Sequence, residues 1–480
     1  MSTSSTGGKK FAHSISLPQR DEFSAAIAKS WTELYSLDAE EVARFQLAGL
    51  RHRFEELMPC ISFLKTTAEQ AGILRIGSLE DAIPLLFDAN AYKSYPMFLL
   101  ERNRFDQLTS WLGGMTSLDL SGIDASRCTG IDDWLDTLES ETPLEVFHSS
   151  GTTGKLSFLP KSSVELQSCF DLFLKSMEGF GNEYGVTLGG DGLRLPIIYP
   201  SIKYGRHVAQ RTLAYMSQFV TPTPDQCYVM STARLSADVM SLSGRIRVAQ
   251  AKGELAKMKL DDHMRMALKQ YMDATERRPE EMKNFFTNVS ERLRGQRVFF
   301  MGQTSFVYPA AVAAGERGIS KVFAPDSVGL TGGGAKGLVL PADWEQRVAD
   351  FVGFSHWTIQ YGMSEMVGQM PRCPAGHFHI PPWLIVYLFD PDGGAPMPRS
   401  GVRTGRLGYV DLVAQTYWGG MLSGDQVTVD FDGQCRCGRK GARIEDSVTR
   451  YSAAVSGDDK VTCSATIDNT DAALKALISI

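Results

Sequence analysis

The apolar positions of this chain change their period from one region to the next. Up to about residue 100 they recur at helical spacing: Phe23, Ala26, Ile27 and Trp31 share one face, and Val42, Phe45, Leu47, Leu50 and Phe54 follow less strictly. The apolar run 95–100 reads as a helix start. Residues 144–147 read as a strand, and 164–180 as a helix with Leu166, Phe170, Phe173, Leu174 and Met177 on one side. A short buried strand is expected at 195–200. Between 255 and 293 the pattern predicts two amphipathic helices divided at Arg278 and Pro279. A proline suits a first helical position, and Glu280 and Glu281 behind it favour the positive helix end. Met282, Phe285, Phe286, Val289 and Leu293 form the core stripe of the second helix.

From Arg297 short strands alternate with helices, at 298–301, 322–323, 327–331 and 357–361. That alternation is the signature of a parallel sheet, whose ligands collect at the carboxyl ends of its strands. Two turns fall at such ends: Gly332, Gly333, Gly334, Ala335 and Lys336, and Gly362, Met363, Ser364 and Glu365. After Pro381 the chain reads as strands, with hairpin turns at 390–394 and 430–433. The prediction is an α/β chain with two parallel-type α/β subdomains and a smaller β-rich subdomain at about 381–443 that closes over the site.

Composition narrows the function classes. At 480 residues two or three subdomains are expected. The net charge of −6, from 49 basic and 55 acidic residues, gives no electrostatic case for nucleic acid or an anionic membrane. The longest apolar runs are far too short to span a bilayer. Residues 1–19 are rich in Ser, Thr and Gly, lack the pattern of a secretory signal, and are expected to be a disordered tail. Eight unevenly spread cysteines do not look like a disulfide framework, so a reducing cytoplasm is the expected compartment.

The stretch His148, Ser149, Ser150, Gly151, Thr152, Thr153, Gly154, Lys155 concentrates glycines, hydroxyls and a lysine just after a strand. Glycines let a backbone approach an anion, hydroxyls and amides donate to its oxygens, and lysine adds charge. With a strand before it and a helix after it, the loop is expected to bring a phosphate to a helix N-terminus. The loop of P-loop NTPases is excluded, because its first glycine would fall on Ser149 and Leu156 stands where a magnesium-binding hydroxyl is needed. A plain flexible turn is the competing reading. His207, alone near a strand end, reads as structural.

Four motifs in order resemble the adenylate-forming superfamily of acyl-CoA synthetases, peptide-synthetase adenylation domains and luciferases. They are Ser149 to Lys155, Tyr361-Gly362-Met363-Ser364-Glu365, Ser423-Gly424-Asp425 and Gly438-Arg439. The resemblance spans about residues 90–450. Within it, Cys435-Arg436-Cys437-Gly438-Arg439 is similar to a motif of phenylacetate-CoA ligases, and the triple glycine 332–334 to a turn of the luminescence acyl-protein synthetases. The resemblance implies ATP-dependent activation of a carboxylic acid to an acyl-adenylate, with transfer of the acyl group to a thiol of CoA, a carrier protein or a protein cysteine. An acyl reductase or another acceptor is a candidate partner. Ser149 to Gly154 and Lys155 would hold phosphates, Glu365 magnesium, Ser364 the α-phosphate, and Asp425 the ribose hydroxyls. Arg439 would support the ribose and the domain junction. Gly332, Gly333 and Gly334 would lie against the adenine, with Tyr361 stacking near it.

Members of that superfamily usually carry a C-terminal lid with a catalytic lysine. Only 37 residues follow Arg443, with lysines at Lys460 and Lys475, so residues 444–480 are expected to be a short tail in place of a full lid. Cys463 in that tail is a candidate acyl carrier, if its thiol is activated. Adenylation with hand-over to a partner, and a degenerate nucleotide-binding protein, are the competing functions. Cys373, His379, Cys435 and Cys437, with His377 as a substitute, carry the donor types of a tetrahedral structural zinc site.

Overall fold

The computed structural model describes residues 29–88, 90–149, 155–185, 194–254, 262–302, 304–331, 340–391, 394–446 and 448–450. Its strands are β1 (Phe87–Asp88), β2 (Phe147–His148), β3 (Phe158–Leu159), β4 (Ile197–Tyr204), β5 (Cys227–Arg234), β6 (Phe299–Met301), β7 (Val328–Thr331) and β8 (Trp357–Tyr361). They continue as β9 (Met370–Pro371), β10 (Phe378–His379), β11 (Leu384–Phe389), β12 (Val402–Asp411), β13 (Gly420–Asp430), β14 (Arg443–Ile444) and β15 (Thr449–Arg450).

The chain is mixed α/β, with one largely parallel sheet and one β-rich sheet, as the period of the apolar positions predicts. The first sheet runs β5-β4-β6-β7-β8-β9, parallel from β5 to β8, with β9 antiparallel at its edge. Parallel strands are covered on both faces and so read as continuous apolar runs, of which 298–301 is one. The second sheet runs β10-β14-β13-β12-β11 through antiparallel pairs, with β1 alongside β13 in parallel and β15 also on β13. It therefore begins before residue 381, because β1 and β10 are recruited from earlier in the chain.

Apolar residues between Trp31 and Tyr92 share a core with that second sheet. The helix Ala39–Leu57 is fixed at its N-terminus by a capping box between Asp38 and Glu41 and buries Leu50, Phe54 and Leu57. Each such side chain, at 1% exposure or less, stabilises by roughly 1.5–3 kcal/mol. Two buried polar side chains on the same helix set its register. Gln46 donates to the carbonyls of Pro382 and Leu384, at 3.2 and 3.1 Å, and Arg53 to that of Leu412 at 2.9 Å. Tyr92 and Trp418 exchange similar bonds across the sheet: Tyr92 Oη donates to the Trp418 carbonyl and Trp418 Nε1 to that of Leu85.

Two expectations are corrected. Residues 262–292 form one helix, Asp262–Arg292, that runs through Pro279 without dividing. Proline removes one helical bond, but Phe285, Phe286, Val289 and Leu293 are buried against β4 and β6 and hold the helix together past it. Residues 322–323 make no strand; their amides donate to the carbonyls of Phe351 and Val352 at the end of the helix Trp344–Val352. A helix does start within the 95–100 run, as the single turn Phe98–Glu101. Of the first amphipathic face, Phe23, Ala26 and Ile27 lie outside the described residues, whereas Trp31 is buried.

Candidate functional site

The loop after His148 closes an antiparallel hairpin, β2 with β3, and does not run directly into a helix. Its neck is locked by the Ser149 amide donating to the Ser157 carbonyl and the Ser157 amide to Ser149 Oγ at 2.9 Å. Ser150, Gly151, Thr152, Thr153 and Gly154 lie outside the described residues. Lys155 donates to the Tyr95 carbonyl, and its Nζ sits 4.6 Å over the Tyr95 ring. With Lys93 it lines an open cavity of about 650 Å³. Partial burial and the charge of Lys93 hold the Lys155 ammonium below its ordinary range.

The helix that follows, Ser163–Tyr184, corrects the helix-N-terminus reading. Its end is capped from within: Ser162 Oγ and the Ser162 amide both donate to Glu165, and the Val164 amide donates to Ser162 Oγ. Glu165, fully buried, also accepts from the amides of Gln415 and Thr416. A carboxylate thus already occupies the positive helix end. The Ser-x-x-Glu spacing at 162–165 was the signal for it in the sequence.

The turn after β8 gathers the other candidates. Tyr361 ends β8, and its hydroxyl donates to Asp425 Oδ2 at 2.8 Å. Asp425 lies in β13, nearly buried, with its amide on Ser423 Oγ. The Tyr361–Glu365 turn and the Ser423–Asp425 motif, about 60 residues apart in sequence, are therefore neighbours, joined through a side-chain pair separated by 64 positions. Gly362 is exposed, while Ser364 and Glu365 are half-buried. Burial, and then the charge of Glu365, raise the Tyr92 and Tyr409 phenols far above their ordinary range. Gly332, Gly333 and Gly334 lie outside the described residues, as does Cys463.

Sequence reading missed the groups that hold this turn. Lys161 Nζ donates to the Met366 carbonyl at 2.5 Å. Asp411 Oδ2 accepts from the Val367 and Gly368 amides at 2.7 and 2.9 Å. Tyr417 Oη donates to the Glu365 carbonyl at 2.8 Å. Their partners lie from 43 to 205 positions away, so no local pattern reports them. Burial lowers the pKa of Lys161 and raises that of Asp411, each pushed toward its neutral form.

Arg439, expected to support a ribose and the domain junction, makes its contacts at that junction. It makes a two-pronged pair with Glu183, at 2.7 Å from Nε and 2.7 Å from Nη2, reaches the Pro371 carbonyl, and lies 5.0 and 5.1 Å from the Trp31 and Tyr35 ring centres. It ties the C-terminal end of the helix Ser163–Tyr184 to the N-terminal segment.

Cys373, His379, Cys435 and Cys437 converge, their ligand atoms all within 4.8 Å of one another. The Cys373 and Cys435 sulfurs are 3.8 Å apart, and Cys437 Sγ is 3.3 Å from His379 Nε2. A sulfur–sulfur edge of about 3.8 Å follows from tetrahedral zinc at about 2.3 Å, and a disulfide would need about 2.05 Å. His377, the substitute ligand, has Nδ1 3.4 Å from Cys435 Sγ and Nε2 3.1 Å from Glu445. Two glycines shape the turns: Gly376, at φ +92°, donates back to the Cys373 carbonyl, and Gly438, at φ +87°, follows Cys437. Burial, then the charges of Arg439 and Arg443, hold the His379 imidazole down at about 3, the neutral form a metal requires. Burial pushes the Cys435 thiol up, but hydrogen bonds from the Cys437 backbone and the His377 ring outweigh it and bring it to about 7. The cluster sits where β9 of the parallel sheet gives way to β10 of the other.

No family model matches the chain, and no curated protein matches it. Among solved structures it is similar to 2-hydroxyisobutyryl-CoA ligase in an open conformation with 2-HIB-AMP and CoA, at 13% identity and TM-score 0.49, over 90% of this chain and 79% of that one. It is also similar to the same ligase in its postadenylation state, at 13% identity and TM-score 0.48, over 86% and 68%. ATP-bound MatB from Rhodopseudomonas palustris is similar at 14% identity and TM-score 0.32, over 62% of this chain and 46% of MatB. At these scores the likenesses carry no argument, and the functional reading rests on the chain's own residues.

Proposed function

We propose that this chain is an adenylate-forming enzyme that uses ATP and magnesium to activate a small carboxylic acid and then passes the acyl group to a thiol. The observation that carries the reading is the hydrogen bond from Tyr361 to Asp425, which brings the Glu365 turn and the Asp425 motif together. A carboxylate such as Asp425 can accept from both ribose hydroxyls, and Tyr361 brings an aromatic ring beside it. The Ser149–Lys155 loop grips the phosphates from the β2–β3 hairpin. Glu365 is the carboxylate for magnesium, which neutralises phosphate charge when bound.

A carboxylate oxygen of the acid attacks the α-phosphorus of ATP. A new P–O bond forms, the bond to the bridging oxygen breaks, and pyrophosphate leaves with the electron pair. The residues act by positioning and by charge stabilisation, and no side chain need become covalently bound. The thiol then displaces AMP from the acyl carbon; CoA, a carrier protein and a protein cysteine are the acceptor classes. Cys373, His379, Cys435 and Cys437 would hold a zinc ion that staples the junction between the two sheets. A set of four protein ligands is of the closed, structural kind, and such an ion would serve the fold and not catalysis.

The test is pyrophosphate release from ATP without added thiol, across aliphatic, aromatic and amino acids. Release with particular acids supports adenylation. ATP binding with no release across the panel contradicts it and favours a nucleotide-binding protein without activity.

A further inference from the structure

The turn that carries Glu365 presents four backbone groups inward, and a buried side chain meets each of them. The Glu365 carbonyl accepts from Tyr417, the Met366 carbonyl from Lys161, and the Val367 and Gly368 amides both donate to Asp411. Tyr417, Lys161 and Asp411 are only 1%, 2% and 1% exposed. They arrive from two parts of the chain: Lys161 from the exit of the β2–β3 hairpin, and Asp411 and Tyr417 from the end of β12 and its connection to β13. Burying an ammonium and a carboxylate is unfavourable unless the geometry is well satisfied. A turn needed only to reverse the chain would not require charged partners brought from so far away.

From this we infer that Lys161, Asp411 and Tyr417 are positioning residues that fix the Glu365 turn for cation binding and couple it to the hairpin of the phosphate loop. Lys161 is the coupling element. It lies two residues beyond β3, on the hairpin whose tip is the Ser149–Lys155 loop, and it bonds to the residue after Glu365. Glu165, four residues on, braces the same arrangement from the other side. It accepts from the Thr416 hydroxyl and amide, next to Tyr417, at 2.9 and 2.5 Å. A metal-binding carboxylate gains affinity when outer groups hold it in place, and their loss typically costs 10–100-fold in metal affinity or activity.

The inference rests on the proposed role of Glu365, and its test separates the two. The quantity to measure is the preference for MgATP: the ATP dissociation constant in EDTA divided by that in excess magnesium, by calorimetry on the full chain. Tyr417→Phe removes one hydroxyl and should reduce the preference about five-fold, the worth of one hydrogen bond. Lys161→Met should reduce it about ten-fold or more, with ATP binding in EDTA little changed. A purely structural role would lower the melting temperature and leave the ratio alone. If Glu365→Gln abolishes the preference while Tyr417→Phe keeps it, the positioning proposal is wrong and the role of Glu365 stands. If Glu365→Gln keeps it, Glu365 does not hold the cation and both fall. Should Lys161→Met fail to fold, Tyr417→Phe decides alone.

Discussion

Two buried polar centres lie at the seams of this molecule, and they are satisfied in opposite ways. Around Glu365, each inward-facing backbone group has a protein partner, and the charges of Lys161, Asp411 and Glu165 share one enclosure. At the other seam, three cysteines and a histidine face one another across weak sulfur and nitrogen contacts. The first centre is complete without any ion. The second is four ligands whose spacing suits one. The difference separates positioning from stapling: one holds a turn still for a ligand, and the other needs its own ligand to hold still.

The staple should show the larger effect. Cys435→Ser, or a strong chelator, should remove one zinc per chain and destabilise the fold by more than about 5 kcal/mol. Metal analysis beside thermal unfolding checks it, and purified protein with far less than one zinc per chain would erase the contrast between the centres. Asp411→Ala should come next. It strands three buried amides, those of Val367, Gly368 and Val413, and removes an acid whose charge favours the Lys161 ammonium, at about 3–5 kcal/mol in chemical denaturation and with no change in zinc content. Were it to release zinc, the two centres would be one unit.

Tyr361→Phe sharpens the comparison more gently. Losing the bond to Asp425 should weaken ATP binding about five-fold and leave melting nearly unmoved. The smallest effect is a pH dependence. Burial holds the pKa of His148 below the usual histidine value. The unfolded chain therefore binds more protons as pH falls below about 6.5, so stability present above that pH is lost on acidification. His148→Gln should flatten that decline when unfolding is followed with zinc saturating.

What the sequence made legible was chemistry carried by neighbouring residues. Tyr361 through Glu365, Ser423 through Asp425 and Cys435 through Cys437 each hold their residue types in a few positions, and the short apolar strands of the parallel sheet announced where the first of these would lie. What stayed hidden depends on contacts across the chain. Lys161 is an ordinary lysine until Met366 arrives beside it, and Asp411 an ordinary strand residue until Val367 and Gly368 do. The helix-N-terminus reading failed because β3 is only two residues long and Glu165 fills the site. The predicted break at Pro279 failed because packing on β4 and β6 outweighs one missing helical bond.

The most direct measurement follows oxygen. Once an accepted acid is found, it can be supplied with ¹⁸O in its carboxylate, together with ATP, magnesium and a thiol, and the products read by mass spectrometry. Attack on the α-phosphorus predicts one ¹⁸O in AMP and none in pyrophosphate. Label in inorganic phosphate, or AMP without label, would contradict the adenylate account.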